Sequence, residues 1–129
     1  MPKRHALCTD EELLQMLEAR AKIRGQELDG GSPKEANAQF DIMAKLSREL
    51  LRRGHSAHQK ILSLLKSDDP YVTMWGAFLA LEFDPSKGEQ VLEDIAQNYT
   101  RGLGFSAKFT LEQWRMGQLR TLSQWDAKV

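Results

Sequence analysis

Apolar residues recur at helical spacing along most of the chain, and polar capping residues divide them into segments. The first stripe consists of Leu13, Leu14, Leu17, Ala21 and Leu28, widened by Met16 and Ile23. The second consists of Ala36, Phe40, Met43, Ser47 and Leu50. Recurrence every three or four residues is typical of amphipathic helices. We therefore predict a helical hairpin over residues 9–54.

Capping residues mark where the helices of this hairpin begin and end. Thr9 followed by Glu12 fits a capping box, and Ser32–Glu35 repeats the signal with a proline at the first helical position. Gly30-Gly31 is expected to end the first helix in the left-handed conformation that glycine adopts without steric cost. Arg52-Arg53-Gly54 ends the second, with cations at the negative end of the helix dipole.

The second half of the chain carries the bulky residues, since only Phe40 of the ten aromatic residues precedes Tyr71. A short helix is predicted over residues 57–66, and Asp69-Pro70 and Asp84-Pro85 each start another. Residues 101–104 are expected to form a turn or a loosened helix start before a last helix over 105–116. No segment alternates at period two for long enough to predict a strand. The prediction is an all-α domain of about six helices over residues 1–129, ending in a tail at 118–129.

A short helix, an Asp-Pro turn and a longer apolar helix follow one another at residues 61–72 and beyond. This order is typical of a HEAT repeat, in which stacked helix pairs share one core. A second, less regular pair covers residues 88–117, with Thr100-Arg101-Gly102 in place of the Asp-Pro turn. Residues 55–117 therefore predict two HEAT-like helix pairs, and the whole chain predicts a short right-handed α-solenoid. Trp75 is expected in its core.

Several stretches carry a resemblance to a known family: Asn37–Asp41, Glu49–Gly54, Leu64–Val72, Gly104–Ala107 and Trp114-Arg115. They are similar to a bacterial family of small HEAT-like, armadillo-type helical-repeat proteins known only as a domain of unknown function. The resemblance extends from about Glu11 to Leu119. It implies the fold and a bacterial source, and it transfers no activity and no catalytic residue.

Composition narrows the classes of partner. The 129 residues include 18 basic and 18 acidic side chains, and this zero net charge disfavours nucleic acid and anionic membranes. The single cysteine, Cys8, excludes an internal disulfide and fits a reducing cytosol. The first residues contain no apolar signal-peptide core, and no apolar run approaches a membrane span. We expect a cytoplasmic location.

Candidate catalytic and metal-binding residues are few. His5 with Cys8 and His55 with His58 are each spaced three apart, as zinc ligands can be. The first pair lies near the terminus and the second at a helix start, so we expect no metal site, and whether the pairs meet is left open. Nucleophile-elbow, phosphate-loop and dinucleotide-binding motifs are absent from the sequence. We expect no catalytic residue, no cofactor and no enzymatic activity.

The leading hypothesis is a module that binds another protein, since stacked helix pairs present a curved surface for partners. A concrete version is a protein that sequesters one specific partner, as an immunity protein does. Candidate anchors are Trp114, Arg115 and Trp125, residue types that dominate interfaces. Core packing is the alternative role for both tryptophans.

Two other hypotheses stay open at this point. Lys45, Arg48, Arg52 and Arg53 form a basic end of the second helix that could bind nucleic acid in a helical repeat, with Lys60 nearby. This hypothesis fails if Arg52 and Arg53 are paired with acidic side chains. The other is a structural homodimer in which Leu122 and Trp125 of the tail cross to a second copy.

Overall fold

Six α-helices account for most of residues 4–123, the part of the chain that the computed structural model describes. Their bounds are α1 Asp10–Gly30, α2 Pro33–Arg52, α3 His55–Ile61, α4 Pro70–Ala80, α5 Pro85–Asn98 and α6 Gly102–Arg115. Short 3-10 helices at His5–Leu7 and Leu62–Lys66 precede α1 and follow α3. No strand occurs in this part of the chain, which confirms the all-α prediction. Across the same residues, none of the helices has the length and hydropathy needed to span a bilayer.

Local hydrogen bonds set the helix starts that the sequence predicts. The hydroxyl of Thr9 accepts from the backbone N–H of Glu12, and the Glu12 carboxylate accepts from the backbone N–H of Thr9. Ser32, Asp69 and Asp84 each accept from backbone N–H groups in the first turn of the following helix. These bonds satisfy donors that have no partner inside the helix.

The glycines at the two helix ends act differently. Gly54 follows α2 with φ +89°, a left-handed value that favours glycine. Gly31 has φ −106°, so the left-handed conformation predicted for the end of α1 is wrong. The Glu27 carboxylate instead folds back to accept from the backbone N–H of Ser32 at 2.7 Å. A Cβ atom at position 31 would overlap that carboxylate, so the Glu27 side chain occupies space that glycine leaves open.

The buried stripe of α1 is narrower than predicted. It consists of Leu13, Leu17, Ala21 and Gly25, one residue per turn. The expected stripe members Met16, Ile23 and Leu28 are exposed. Tyr71 of α4 packs on Gly25, where a Cβ atom would lie 2.6 Å from the ring carbon Cγ. Contact with Tyr71 of α4 therefore accounts for the burial of Gly25.

Two helix bounds differ from the prediction. The helix expected over 57–66 begins at His55 and changes to a 3-10 helix after Ile61. Residues 101–104, predicted as a turn or a loosened helix start, belong largely to α6, which begins at Gly102 instead of residue 105. At Gly76 the 3-10 helix Leu62–Lys66 approaches α4 closely, since a Cβ atom there would lie 2.8 Å from Cβ of Leu64.

The core consists of two clusters that α4 joins. Val72, Trp75 and Leu79 of α4 pack with apolar residues of α1, α2 and α3. Ala77 of α4, with Leu81 just after it, packs with α5 and α6. Trp75 is buried, as predicted. Its indole N–H donates to the Ser47 hydroxyl oxygen at 2.9 Å, so the buried indole and the buried hydroxyl are hydrogen-bond partners.

Candidate functional site

A small aromatic cavity lies between α1, α2, α4 and α6. Its volume is about 130 Å³, and its apolar wall includes the rings of Phe40, Trp75 and Phe78. Ser106 and Thr110 of α6 line the same cavity. The cavity therefore brings together side chains from four helices, with Arg24 contributed by α1.

The outer side of α6 carries exposed apolar residues. Phe105 is 69% exposed, Phe109 62% and Met116 63%. Spacings of four and seven residues place the three side chains on one side of the helix. Phe109 lies one turn from Ser106 and next to Thr110, so this α6 stripe (Phe105, Phe109 and Met116) adjoins the aromatic cavity. Contiguous exposed apolar patches are uncommon on monomers and often mark interaction sites.

A half-buried arginine occupies one side of the cavity. The guanidinium carbon Cζ of Arg24 lies 5.5 Å from the ring centroid of Phe40 and 5.9 Å from that of Trp75. These distances allow cation–π attraction to both rings. Burial lowers the pKa of Arg24, because the charged guanidinium loses hydration there.

Tyr71 links the mouth of the cavity to the end of α1. Its hydroxyl donates a hydrogen bond to the carboxylate of Asp29. Burial, followed by this hydrogen bond and the negative charge of Asp29, raises the pKa of Tyr71 to about 12. The phenol therefore stays protonated at neutral pH and remains bonded to Asp29.

Trp114 and Arg115, two predicted anchors for a partner, hold α6 against α5. The half-buried indole of Trp114 donates to Glu89 at 3.2 Å. Arg115 donates to Glu93 and to Glu89, and these hydrogen bonds raise its pKa in that order. Trp125, the third predicted anchor, lies outside the described residues. A role for these three residues in partner binding stays a prediction.

Acidic side chains engage the basic end of α2. Arg52 Nη2 lies 2.6 Å from a Glu49 carboxylate oxygen, and Arg53 lies 2.8 Å from both Glu49 and Asp10. Lys45 and Arg48 line an open cleft beside them. Lys60, which could have extended the basic surface, pairs with Asp10 and Glu11. The nucleic-acid hypothesis required Arg52 and Arg53 to be unpaired, and it loses this basis.

His58 and Cys8 have partners within the fold. His58 hydrogen-bonds the Leu51 carbonyl at 2.8 Å and stacks on Phe83 at 4.6 Å between ring centroids. Cys8 is buried, with its thiol 3.6 Å from the Arg4 carbonyl oxygen. Within residues 4–123, no three His, Cys, Asp or Glu side chains are grouped closely enough to hold a metal ion.

The tail residue expected to cross to a second copy is buried in its own chain. Leu122 is fully inaccessible to solvent and belongs to the cluster formed by α1, α2, α3 and α4. The homodimer hypothesis therefore cannot use Leu122 as a contact between copies while this packing holds.

Sequence reasoning missed both the α6 stripe and Arg24. The stripe had a usable signal, since Phe105, Phe109 and Met116 recur at helical spacing opposite the buried Ala107 and Leu111. Arg24 had none. Its surroundings come from helices that are distant in sequence, and only the folded chain brings them together.

A crystal structure of similar shape is known. The protein RPA1889 from Rhodopseudomonas palustris CGA009 matches with a TM-score of 0.84 and 22% sequence identity, over 92% of this chain and 98% of that chain. At this identity the likeness shows the fold alone. No protein-family model and no curated protein matches the chain. Membership of the HEAT-like family of unknown function therefore stays a prediction.

Proposed function

We propose that this chain is a small non-enzymatic module that binds another protein through the side formed by α2, α4 and α6. The observation that carries the proposal is the α6 stripe, whose three side chains are each more than 60% exposed. Burying apolar surface stabilises a complex by about 25 cal/mol per Å² before the costs of association. Phenylalanine and methionine are also enriched where proteins meet.

The proposal includes a short right-handed HEAT-like solenoid with α1–α2, α3–α4 and α5–α6 as successive pairs. Repeats of this kind bind partners on the surface lined by one helix from each pair. The aromatic cavity brings side chains of α2, α4 and α6 together with Arg24 of α1, which supports a binding surface shared by several helices.

Within this class, the concrete version is a bacterial cytoplasmic protein that sequesters one specific partner, as an immunity protein does. Sequestration needs a complementary surface and no chemical step. The balance of 18 basic and 18 acidic residues supports a protein partner over a nucleic acid. The lone Cys8 is compatible with a reducing compartment.

Capture from native lysate on three immobilised proteins tests the proposal. The first is the wild type, the second carries Phe105→Ser with Phe109→Ser, and the third carries Leu7→Ser. Leu7 is 70% exposed and lies in the 3-10 helix before α1. Leu7→Ser is therefore a matched control, because it removes exposed apolar surface away from α6. All three baits are compared after nuclease treatment at low and moderate salt.

The expected result is one stoichiometric protein on the wild type and on Leu7→Ser, reduced at least tenfold on the double variant. Equal recovery on all three baits would place the binding surface elsewhere. Recovery that disappears with nuclease would favour the nucleic-acid alternative. Capture of further copies of the bait alone would favour the homodimer.

A further inference from the structure

The guanidinium of Arg24 has no hydrogen-bonding or ion-pair partner in the part of the chain that the structure describes. The guanidinium lies over the ring faces of Phe40 and Trp75. A guanidinium carries five N–H donors in its plane, and ring faces do not accept all of them. Donors removed from water without an acceptor cost free energy, so this arrangement favours an acceptor that arrives from outside.

Nearby acceptors on the protein are already engaged. The Asp29 carboxylate accepts from the Tyr71 hydroxyl. The Gln39 side-chain oxygen accepts from Arg20, one turn before Arg24 on α1, at 3.3 Å. On α6, the Thr110 hydroxyl donates to the backbone carbonyl of Ser106 at 2.8 Å. The cavity wall therefore combines one cation, Arg24, with the neutral hydroxyls of Ser106 and Thr110.

One cation in an apolar wall favours a ligand with one negative charge. A carboxylate matches the planar guanidinium and forms two parallel hydrogen bonds with it. A dianion such as a phosphate monoester would keep an uncompensated charge beside Phe40, Trp75 and Phe78, which is costly away from water. The volume of about 130 Å³ also limits the ligand. Cavities near ~150 Å³ hold a molecule the size of benzene, so a short acidic side chain fits.

We propose that the aromatic cavity receives a glutamate or aspartate side chain of the bound protein, with its carboxylate on Arg24. This inference rests on the proposed function and adds the chemistry of the partner. The partner segment then carries an acidic residue next to apolar residues, which cover Phe105 and Phe109 of the adjoining α6 stripe. An acidic and apolar segment is complementary to the aromatic cavity, whose wall includes the cation of Arg24, and to the apolar stripe beside it.

A titration with small probes tests the cavity without any partner. Butyrate carries the carboxylate and methylene groups of a glutamate side chain, and butyramide is its neutral counterpart. The readout is the NMR signal of the Trp75 indole N–H, with the Trp114 indole as an internal reference on the α5–α6 side. We expect butyrate to shift the Trp75 signal saturably in the millimolar range and butyramide to bind at least tenfold more weakly.

Two variants assign the effect to the guanidinium. Arg24→Gln should lower the butyrate affinity at least tenfold, and Arg20→Gln, one turn away, should leave it unchanged. Because the comparison of butyrate with butyramide uses the wild type, the test stands even where Arg24→Gln fails to fold. Equal binding of the two probes, or tighter binding of methyl phosphate, would overturn the proposal. Lysate capture that fails while butyrate binds would contradict the proposed function and leave the carboxylate site intact.

Discussion

Close backbone approach at the start of α6 leaves no space for a side chain at one position. A Cβ atom at residue 104 would overlap the carbonyl oxygen of Tyr99 and lie 2.7 Å from its carbonyl carbon. At residue 102, in the same turn, nothing lies within 4 Å of a Cβ atom. The contact partner at 104 is backbone, which cannot rotate away as a side chain can. The two glycines therefore occupy one helix turn under opposite steric conditions.

We expect Gly104→Ala to lower the free energy of unfolding by about 3 kcal/mol, because the new methyl group forces α6 away from the end of α5. Gly102→Ala should leave it unchanged or raise it by up to about 1 kcal/mol through helix propensity. Urea denaturation followed by circular dichroism measures both. Similar values for the two variants would mean that α6 does not lie this close to Tyr99.

A cluster of charged side chains ties the start of α1 to the end of α2 and to α3. Arg53 bonds Asp10 and Glu49 through its side chain, and it also donates to the backbone carbonyl of His5. Lys60 of α3 completes the cluster by pairing with Asp10. The hydrogen bond from Arg53, and then that from Lys60, lowers the pKa of Asp10. Hydrogen bonds from Arg52 and Arg53 lower the pKa of Glu49 in the same way.

This cluster makes the free energy of unfolding depend on pH in the acidic range. A carboxylate whose pKa is lower in the folded state than in the unfolded state stabilises the folded state at pH values above the unfolded pKa of about 4. This contribution is lost as the pH falls through the folded pKa. At pH 7 we expect Asp10→Asn to lower the free energy of unfolding by about 1.5 kcal/mol. The gap between wild type and variant should shrink as the pH falls from 5 to 2.5, when measured by urea denaturation.

Glu18→Gln is a control for the charge change, since Glu18 pairs with Lys22 on an exposed surface of α1. Exposed pairs of this kind contribute about 0.5 kcal/mol or less. A gap between wild type and Asp10→Asn that stays constant with pH would show that Asp10 acts through helix capping or packing and not through its charge.

The helix starts could be predicted because their causes are local. Thr9, Ser32, Asp69 and Asp84 accept hydrogen bonds from residues two or three positions away, and such pairs are visible in the sequence. The buried face of α1 could not be predicted in the same way. Leu28 has the spacing of a core residue and is exposed, whereas Gly25 is buried against Tyr71 of α4.

Some features of the candidate site could likewise be predicted from the sequence, and others could not. The spacing of Phe105 and Phe109 could be read from the sequence, although the apolar stripe on the opposite side of α6 drew the prediction to the buried face. The pairing of Arg52 and Arg53 depended on Asp10, which is more than 40 residues away, as well as on the local Glu49. Arg24 depends on rings from α2 and α4. Hydrophobic periodicity does not predict contacts between helices that are distant in sequence.

The segment after α6 joins the two halves of the molecule, as α4 does. Leu119 packs against the cluster formed by α4, α5 and α6. Leu122, three residues later, is buried in the cluster formed by α1, α2, α3 and α4. The segment after the last helix therefore connects the C-terminal cluster to the N-terminal one. The sequence left open whether this segment packs in its own chain, because its spacing of three fits either arrangement.

If Leu122 joins the two clusters, removing its side chain should destabilise the whole molecule. We expect Leu122→Ala to lower the free energy of unfolding by about 3 kcal/mol through lost burial and a residual cavity. The loss should be the same at every protein concentration, because the residue packs within one chain, whereas a contact between copies would make it concentration-dependent. Urea denaturation over a hundredfold concentration range, with Leu7→Ala as the exposed control, separates the two cases. A loss that grows on dilution would return Leu122 to the interface of a homodimer.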